Sequence, residues 1–451
     1  MPLSVARLFA GVLLASNLSL LAYGQELSAF PSATSKKGLQ VEDVDDAIAL
    51  GVKHAAFNLS VPSLISETPR DDDILWAHRG TTLRINAHYL ASQTRRIKAM
   101  TDSGALVYLI VLNISGAHPD AQSALVHPAY DSSSPNGIGA FNTQTDSGAR
   151  TFMAAMAFLA DHFGRVTKPP KTEDDSRQAA LEEWPNGRVV GYIIGNEVNS
   201  HWWWYNMGEI AIDDFVEQYE STVRLAAQAI HEHAPWARVY LSLEHHWSVR
   251  YSPANPLRSF PARDFLTKFA QVARSHGDFD WHIAFHPYPE NLFDPEFWKD
   301  RQATWSMDTA KITFKNLKVL SDFLERDAML HEGLPRRIIL SEQGFHTPEG
   351  KNGEKTQAAA YCYAYRIADE LPLVDAFILH RHIDHPKEGG LALGLWRFDE
   401  RTGKRTSKKL IYDAFQKADS SDWEAAFDFA LPIVGLTDWE NAGRPPFEEP
   451  R

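Results

Sequence analysis

Eight short apolar runs, each followed by a stretch with helical spacing, recur from about residue 32 onward, and a chain patterned this way needs a parallel sheet with crossover helices. A weak first strand over 37–40 precedes a helix over 41–50. Strands over 53–59, 105–113 and 188–195 precede helices over 87–101, 149–163 and 214–233. Strands over 238–243, 281–285, 337–340 and 374–379 precede helices over 262–275, 313–326, 356–370 and 408–417. Eight such units close an α/β barrel, so the expected fold is a (β/α)8 TIM barrel.

Loop lengths say which end of the barrel matters. Helix-to-strand connections are short, as in Asp102-Ser103-Gly104 and Leu371-Pro372-Leu373, whereas the loops after strands two, three, four, six and eight are long. Elaborated loops at the C-terminal ends of the strands are where such barrels build a pocket. An open doubly wound sheet has the same alternation, but it normally opens with a Gly-rich first turn, and none is present. The aromatic tail over 421–451, with Trp423, Phe427, Phe429 and Trp439, is expected to pack on a catalytic barrel spanning 25–420.

Residues 1–24 read as an export signal. Arg7 supplies the positive start, Leu8 to Leu21 the apolar core, and Ala22-Tyr23-Gly24 a small-x-small cleavage site. A membrane anchor is the alternative, but Ser16, Asn17 and Ser19 interrupt a stretch that is short for a span. The expected destination is therefore the periplasm or the exterior, with no membrane attachment after cleavage. Lys+Arg 45 against Asp+Glu 58 gives a net charge of −13, the wrong sign for gripping nucleic acid. Cys362 is the only cysteine, which excludes an intrachain disulfide or a thiolate cluster, and no cofactor is expected.

Two carboxylates follow apolar strands: Glu197 after Val189-Val190-Gly191-Tyr192-Ile193-Ile194-Gly195-Asn196, and Glu342 after Ile338-Ile339-Leu340-Ser341. An acid at the end of a buried strand costs desolvation energy unless it is paired or used. Strands four and seven face one another across an eight-strand barrel, which places both acids at one mouth. Glycoside hydrolysis needs such a pair, one acid to protonate the leaving oxygen and one carboxylate to attack the anomeric carbon. The retaining version requires carboxyl groups about 5–5.5 Å apart.

With Asn196-Glu197 ending strand four and Glu342 ending strand seven, the chain resembles clan A of the glycoside hydrolases, the 4/7 superfamily of retaining enzymes, over roughly residues 32–418. The resemblance implies Glu197 as acid/base, Glu342 as nucleophile and Asn196 as donor to the sugar 2-hydroxyl. It also implies that Tyr288, in His286-Pro287-Tyr288-Pro289, bonds the nucleophile. Many clan members place an Arg after strand two and a Trp after strand eight. Here those positions hold Asn58-Leu59-Ser60 and His380-Arg381-His382, with Trp396 a replacement from the last loop.

Trp202-Trp203-Trp204-Tyr205 follows Glu197 closely, and flat aromatic faces suit the C–H face of a sugar ring. With Asn58, Asn113, His246, His286 and His380 at strand ends, Trp202 and Trp203 complete the expected substrate-binding set. Arg381 and Arg397 hint at an acidic sugar. Crowded rim histidines, His245, His246, His286, His346, His380, His382 and His385, leave a metal-dependent barrel hydrolase as one alternative, although H-E-x-x-H is absent and the first strand has no His. A non-catalytic glycan-binding barrel is the other alternative. The main expectation is an exported, metal-independent retaining β-glycosidase with a carbohydrate partner.

Overall fold

A computed structural model describes residues 30–66, 68–114, 124–166, 184–440 and 442. The expected export signal, 1–24, lies outside the described residues. Eight strands, β1 (Lys37–Gln40), β2 (His54–Ser60), β3 (Leu106–Ile114), β4 (Val189–Ile194), β5 (Arg238–Glu244), β6 (Trp281–His286), β7 (Ile338–Leu340) and β8 (Val374–Leu379), pair in parallel in chain order. β8 returns to β1, with Lys37 opposite Phe377, and the barrel is closed. The crossover helices are α1 (Val44–Ala49), α2 (Ala87–Asp102), α3 (Asp146–Gly164), α4 (Ile212–His231), α5 (Ala262–Ser275), α6 (Lys318–Leu324), α7 (Gly353–Glu370) and α8 (Leu410–Lys417).

The lumen is a packed layer, not a pore. Ala56, Tyr108, Ile110, Val190, Tyr240, Ala284, Ile339, Ala376 and Ile378 fill it, while the alternate residues of each strand join the larger core under the helices. Gly191 is required there, because a Cβ would sit 2.4 Å from Tyr108 Cδ1 and 2.9 Å from Tyr240 Cε2. Helix starts follow local chemistry: the Asn86 side chain accepts the Tyr89 N–H at 3.1 Å, and Thr145 accepts that of Gly148 at 3.1 Å.

Two long loops contain antiparallel hairpins that the alternation does not predict. In the loop after β2, Ile74–His78 pairs with Thr81–Ile85 through a turn at Arg79-Gly80, both at positive φ, as a two-residue hairpin turn demands. Its Trp76 meets Phe158 of α3 edge-on at 5.6 Å. In the loop after β8, Trp396–Asp399 pairs with Lys404–Lys408, so the last helix begins at Leu410 rather than 408. The helix expected over 313–326 splits into a 3-10 turn, Phe314–Asn316, and α6. The tail residues Trp423, Phe427 and Trp439 lie against Tyr365, Tyr361 and Tyr363 of α7.

The lumen packing yields a stability test. Gly191→Ala forces a methyl against two tyrosine rings and is expected to lower stability by about 1–3 kcal/mol in urea denaturation. An unchanged midpoint would mean that the layer has spare room.

Candidate active site

The mouth is assembled from strand ends. Past β4 the backbone leaves the strand through Gly195 at φ 81 and Glu197 at φ 40. A left-handed glutamate is a sparsely populated conformation, of the sort concentrated at functional sites. The Glu197 N–H donates to Ser242 Oγ on β5 at 2.9 Å, fixing the side chain's origin. Past β7, Gly344 lets the chain approach the His380 carbonyl; a Cβ there would lie 2.1 Å from that oxygen.

Glu197, His286 and Glu342 converge, with one ligand-capable atom from each lying within 4.8 Å of the others. Glu197 Oε1 shares a 2.9 Å hydrogen bond with His286 Nδ1, whose Nε2 reaches Ser341 Oγ at 3.0 Å. Tyr288 donates its hydroxyl to Glu342 Oε1 at 3.2 Å. Gln40, the last residue of β1, donates Nε2 to Glu342 Oε2 at 3.2 Å, and its Oε1 meets His380 Nδ1 at 2.8 Å.

These surroundings push the two acids apart. Burial raises the Glu197 pKa, and the charges of Glu342 and Glu244 add to the rise, only partly offset by the His286 hydrogen bond. Glu197 is 9% exposed. For Glu342 burial acts upward as well, but His380, His286 and the Gln40 amide outweigh it and hold the carboxyl below its ordinary value. His286 loses basicity to burial yet ends raised, because Glu342 and Glu197 flank it.

A third acid belongs to the mouth and is not among the residues expected from the sequence. Glu244 ends β5 and is held by Asn199 Nδ2 at 2.6 Å, Ser200 Oγ at 2.9 Å and His246 Nδ1 at 2.5 Å. Burial would raise its pKa, but His246 and then His245 pull it down to about 2. The signal was available, since Glu244 is also a carboxylate closing an apolar strand. His246 meets Tyr251 edge-on at 5.6 Å, and Tyr251 meets Trp203 at 4.8 Å, forming an aromatic wall beside Glu197. Burial raises the Tyr251 pKa, followed by the charges of Glu197 and Glu244. Among the described residues, two rim groups have metal-ligand spacing: Glu244, His245 and His246, and the Glu197, His286 and Glu342 set itself.

The remaining expected residues divide by what holds them. Asn58 is exposed and shares the lumen parity of Ala56, and Asn196 is half-buried beside Glu197. Asn113 has the opposite parity; it is 1% exposed and spends its amide on the Leu125 and Ala140 carbonyls at 2.9 Å each, bracing the third loop. Trp202 is buried, donating to Asp131 at 2.9 Å beneath the Arg258 guanidinium, whereas Trp203 is half-buried. Trp396 donates to Asp46 at 2.7 Å, alongside His382 at 2.8 Å and Tyr412 at 3.0 Å. Arg381 is paired with Glu388 at 2.8 Å, and Arg397 with Glu354, so neither guanidinium is unpaired at the mouth.

The model of a family described as a family of unknown function (DUF5722) matches residues 29–442. No curated protein matches the chain. Among solved structures it is similar to a family 1 β-glucosidase from Thermotoga maritima. The complex with castanospermine has 14% identity and a TM-score of 0.51, and the complex with isofagomine lactam has 15% identity and a TM-score of 0.50. Each alignment covers 83% of this chain and 84% of the other. At such identities the likeness establishes a common fold, the TIM barrel.

The opposed carboxyl environments are directly measurable. In Glu342→Gln the like charge facing Glu197 is gone, so Glu197 is expected to titrate lower than in the parent chain by carboxyl-selective NMR. An unmoved or raised value would mean that the two acids do not sense one another.

Proposed function

The chain belongs to the DUF5722 family, and from its site we propose that it is a retaining β-glycoside hydrolase acting on an oligosaccharide or polysaccharide. The observation that carries this is a pair of carboxylates with oxygens within 4.8 Å, one pushed up and the other held down. Inverting enzymes leave about 6.5–9.5 Å between their carboxyl groups for a water, and the tighter spacing favours direct attack on the sugar.

In the proposed cycle Glu342, ionised and oriented by Tyr288 and Gln40, attacks the anomeric carbon as the glycosidic C–O bond breaks. Glu197, protonated at rest, gives its proton to the departing oxygen. Glu197 then takes a proton from water, whose oxygen displaces Glu342 and leaves a sugar of unchanged anomeric configuration. His286 spans Glu197 and Ser341 and steadies the acid through both steps. The Trp203–Tyr251 wall, next to the acid, suits the leaving sugar. The proposal includes export, on the strength of the signal-like residues 1–24.

The test is hydrolysis of a panel of β-linked glycans by the purified chain, with and without chelator, with product anomers followed by NMR. Cleavage with retention, insensitive to chelator, is expected. Inversion would overturn the nucleophile assignment, and loss on chelation that metal restores in the parent chain but not in His246→Ala would move the chemistry to the rim histidines. Glu197→Gln should lose about 10²–10⁴ in turnover, recovering with azide on substrates having good leaving groups, and Glu342→Gln should lose at least as much. Activity should fall as pH drops through the lowered Glu342 pKa, which protonates the nucleophile. It should fall again as pH rises through the raised Glu197 pKa, which removes the acid's proton. A profile whose limbs survive Glu197→Gln would dissociate the alkaline limb from Glu197.

A further inference from the structure

Away from the mouth, the hairpin of the second loop meets the end of α4. His78 closes the first hairpin strand, and Glu232-His233 directly follows α4. Helices in this fold run back from the mouth, so the C-terminus of α4 lies at the opposite end of the barrel from Glu197 and Glu342.

Among the described residues, two imidazole nitrogens there have no hydrogen-bond partner. The His78 side chain is 10% exposed and its Nε2 is buried; the nearest carboxylate oxygen, Glu232 Oε2, is 3.6 Å away. His233 has Asp161 Oδ1 3.7 Å from its Nδ1, and its Nε2 is buried and unpartnered. Buried polar atoms are ordinarily paired, and these two nitrogens sit beside a carboxylate. A ring nitrogen of each histidine and a Glu232 oxygen lie within 4.8 Å of one another.

We propose that His78, Glu232 and His233 bind a divalent transition cation of zinc type, which fastens the hairpin to the end of α4. Zinc is held by His nitrogens and carboxylate oxygens at about 2.0–2.2 Å, so its ligand atoms stand roughly 3.3 Å apart in a tetrahedron. Small side-chain rotations close that gap. Trp76 stacks on His78, with centroids 5.5 Å apart and planes at 5°, and holds its ring. The Asp161 carboxylate behind His233 is the outer partner that metal-bound histidines commonly have. The negative end of the α4 dipole favours a cation at this place. Arg79 also pairs with Glu232, but through Oε1, and leaves Oε2 facing His78. Three protein ligands leave a fourth position for water.

The experiment is calorimetric titration of the chelator-stripped full chain with zinc chloride, paired with melting curves. The expected result is a tight zinc equivalent that raises the melting temperature. It should weaken at least about a hundredfold in His78→Ala and His233→Ala, since loss of an outer partner alone costs 10–100-fold, and persist in His246→Ala. Glu232→Gln preserves side-chain shape and decides the matter if the alanine variants fail to fold; a loss of at least about tenfold is expected. Absence of zinc binding, binding unchanged in every one of these ligand variants, or loss confined to His246→Ala would overturn the proposal.

Discussion

Holding two carboxylates within 4.8 Å of each other, largely out of bulk water, is the constraint around which the rest of the mouth is arranged. Two ionised acids so close would repel strongly in a medium of lowered dielectric. The protein responds by distributing donors unequally. Glu342 receives Tyr288 and Gln40 and feels both His380 and His286, whereas Glu197 shares a single imidazole and sits deeper. A third acid so close by would worsen the problem, but Glu244 is satisfied separately by His246, Asn199 and Ser200. Closing the barrel makes all of this possible, because it brings the ends of strands distant in sequence onto one rim.

Much of that rim was legible in the chain. The eight strands and the two carboxylates stand out because an ionisable residue at the end of an apolar run is conspicuous. Tyr288 and His286 are placed by a Pro-flanked turn and a family resemblance. Asn113 is less accessible to such reasoning. Strands of a parallel barrel are apolar on both faces, so the run from Val107 to Leu112 does not mark which alternate residues see the lumen. One position of parity separates Asn58, at the mouth, from Asn113, under a loop.

The hairpins escaped for a related reason. Loops are read by what they lack, and a five-residue strand such as Ile74–His78, exposed along much of its length, has little apolar periodicity to announce it. Its Arg79-Gly80 turn was the available signal. Both hairpins turn long connections into rigid pieces, and in the eighth loop the bond from Trp396 to Asp46 secures one of them to α1. Partners such as Gln40 and Tyr251 escape for another reason: polar and aromatic residues gain meaning only from what the fold places opposite them.

Gln40 shows how far such an effect reaches. A carboxamide has a fixed polarity, with two donor hydrogens at one end and only lone pairs at the other. With its nitrogen at Glu342 and its oxygen at His380, the hydrogen must lie on His380 Nδ1, and the bonds from His380 through Gln40 to Glu342 all point one way. The short first strand thus gives its side of the mouth a direction, an oriented wire of donors that ends on a carboxylate held below its ordinary pKa.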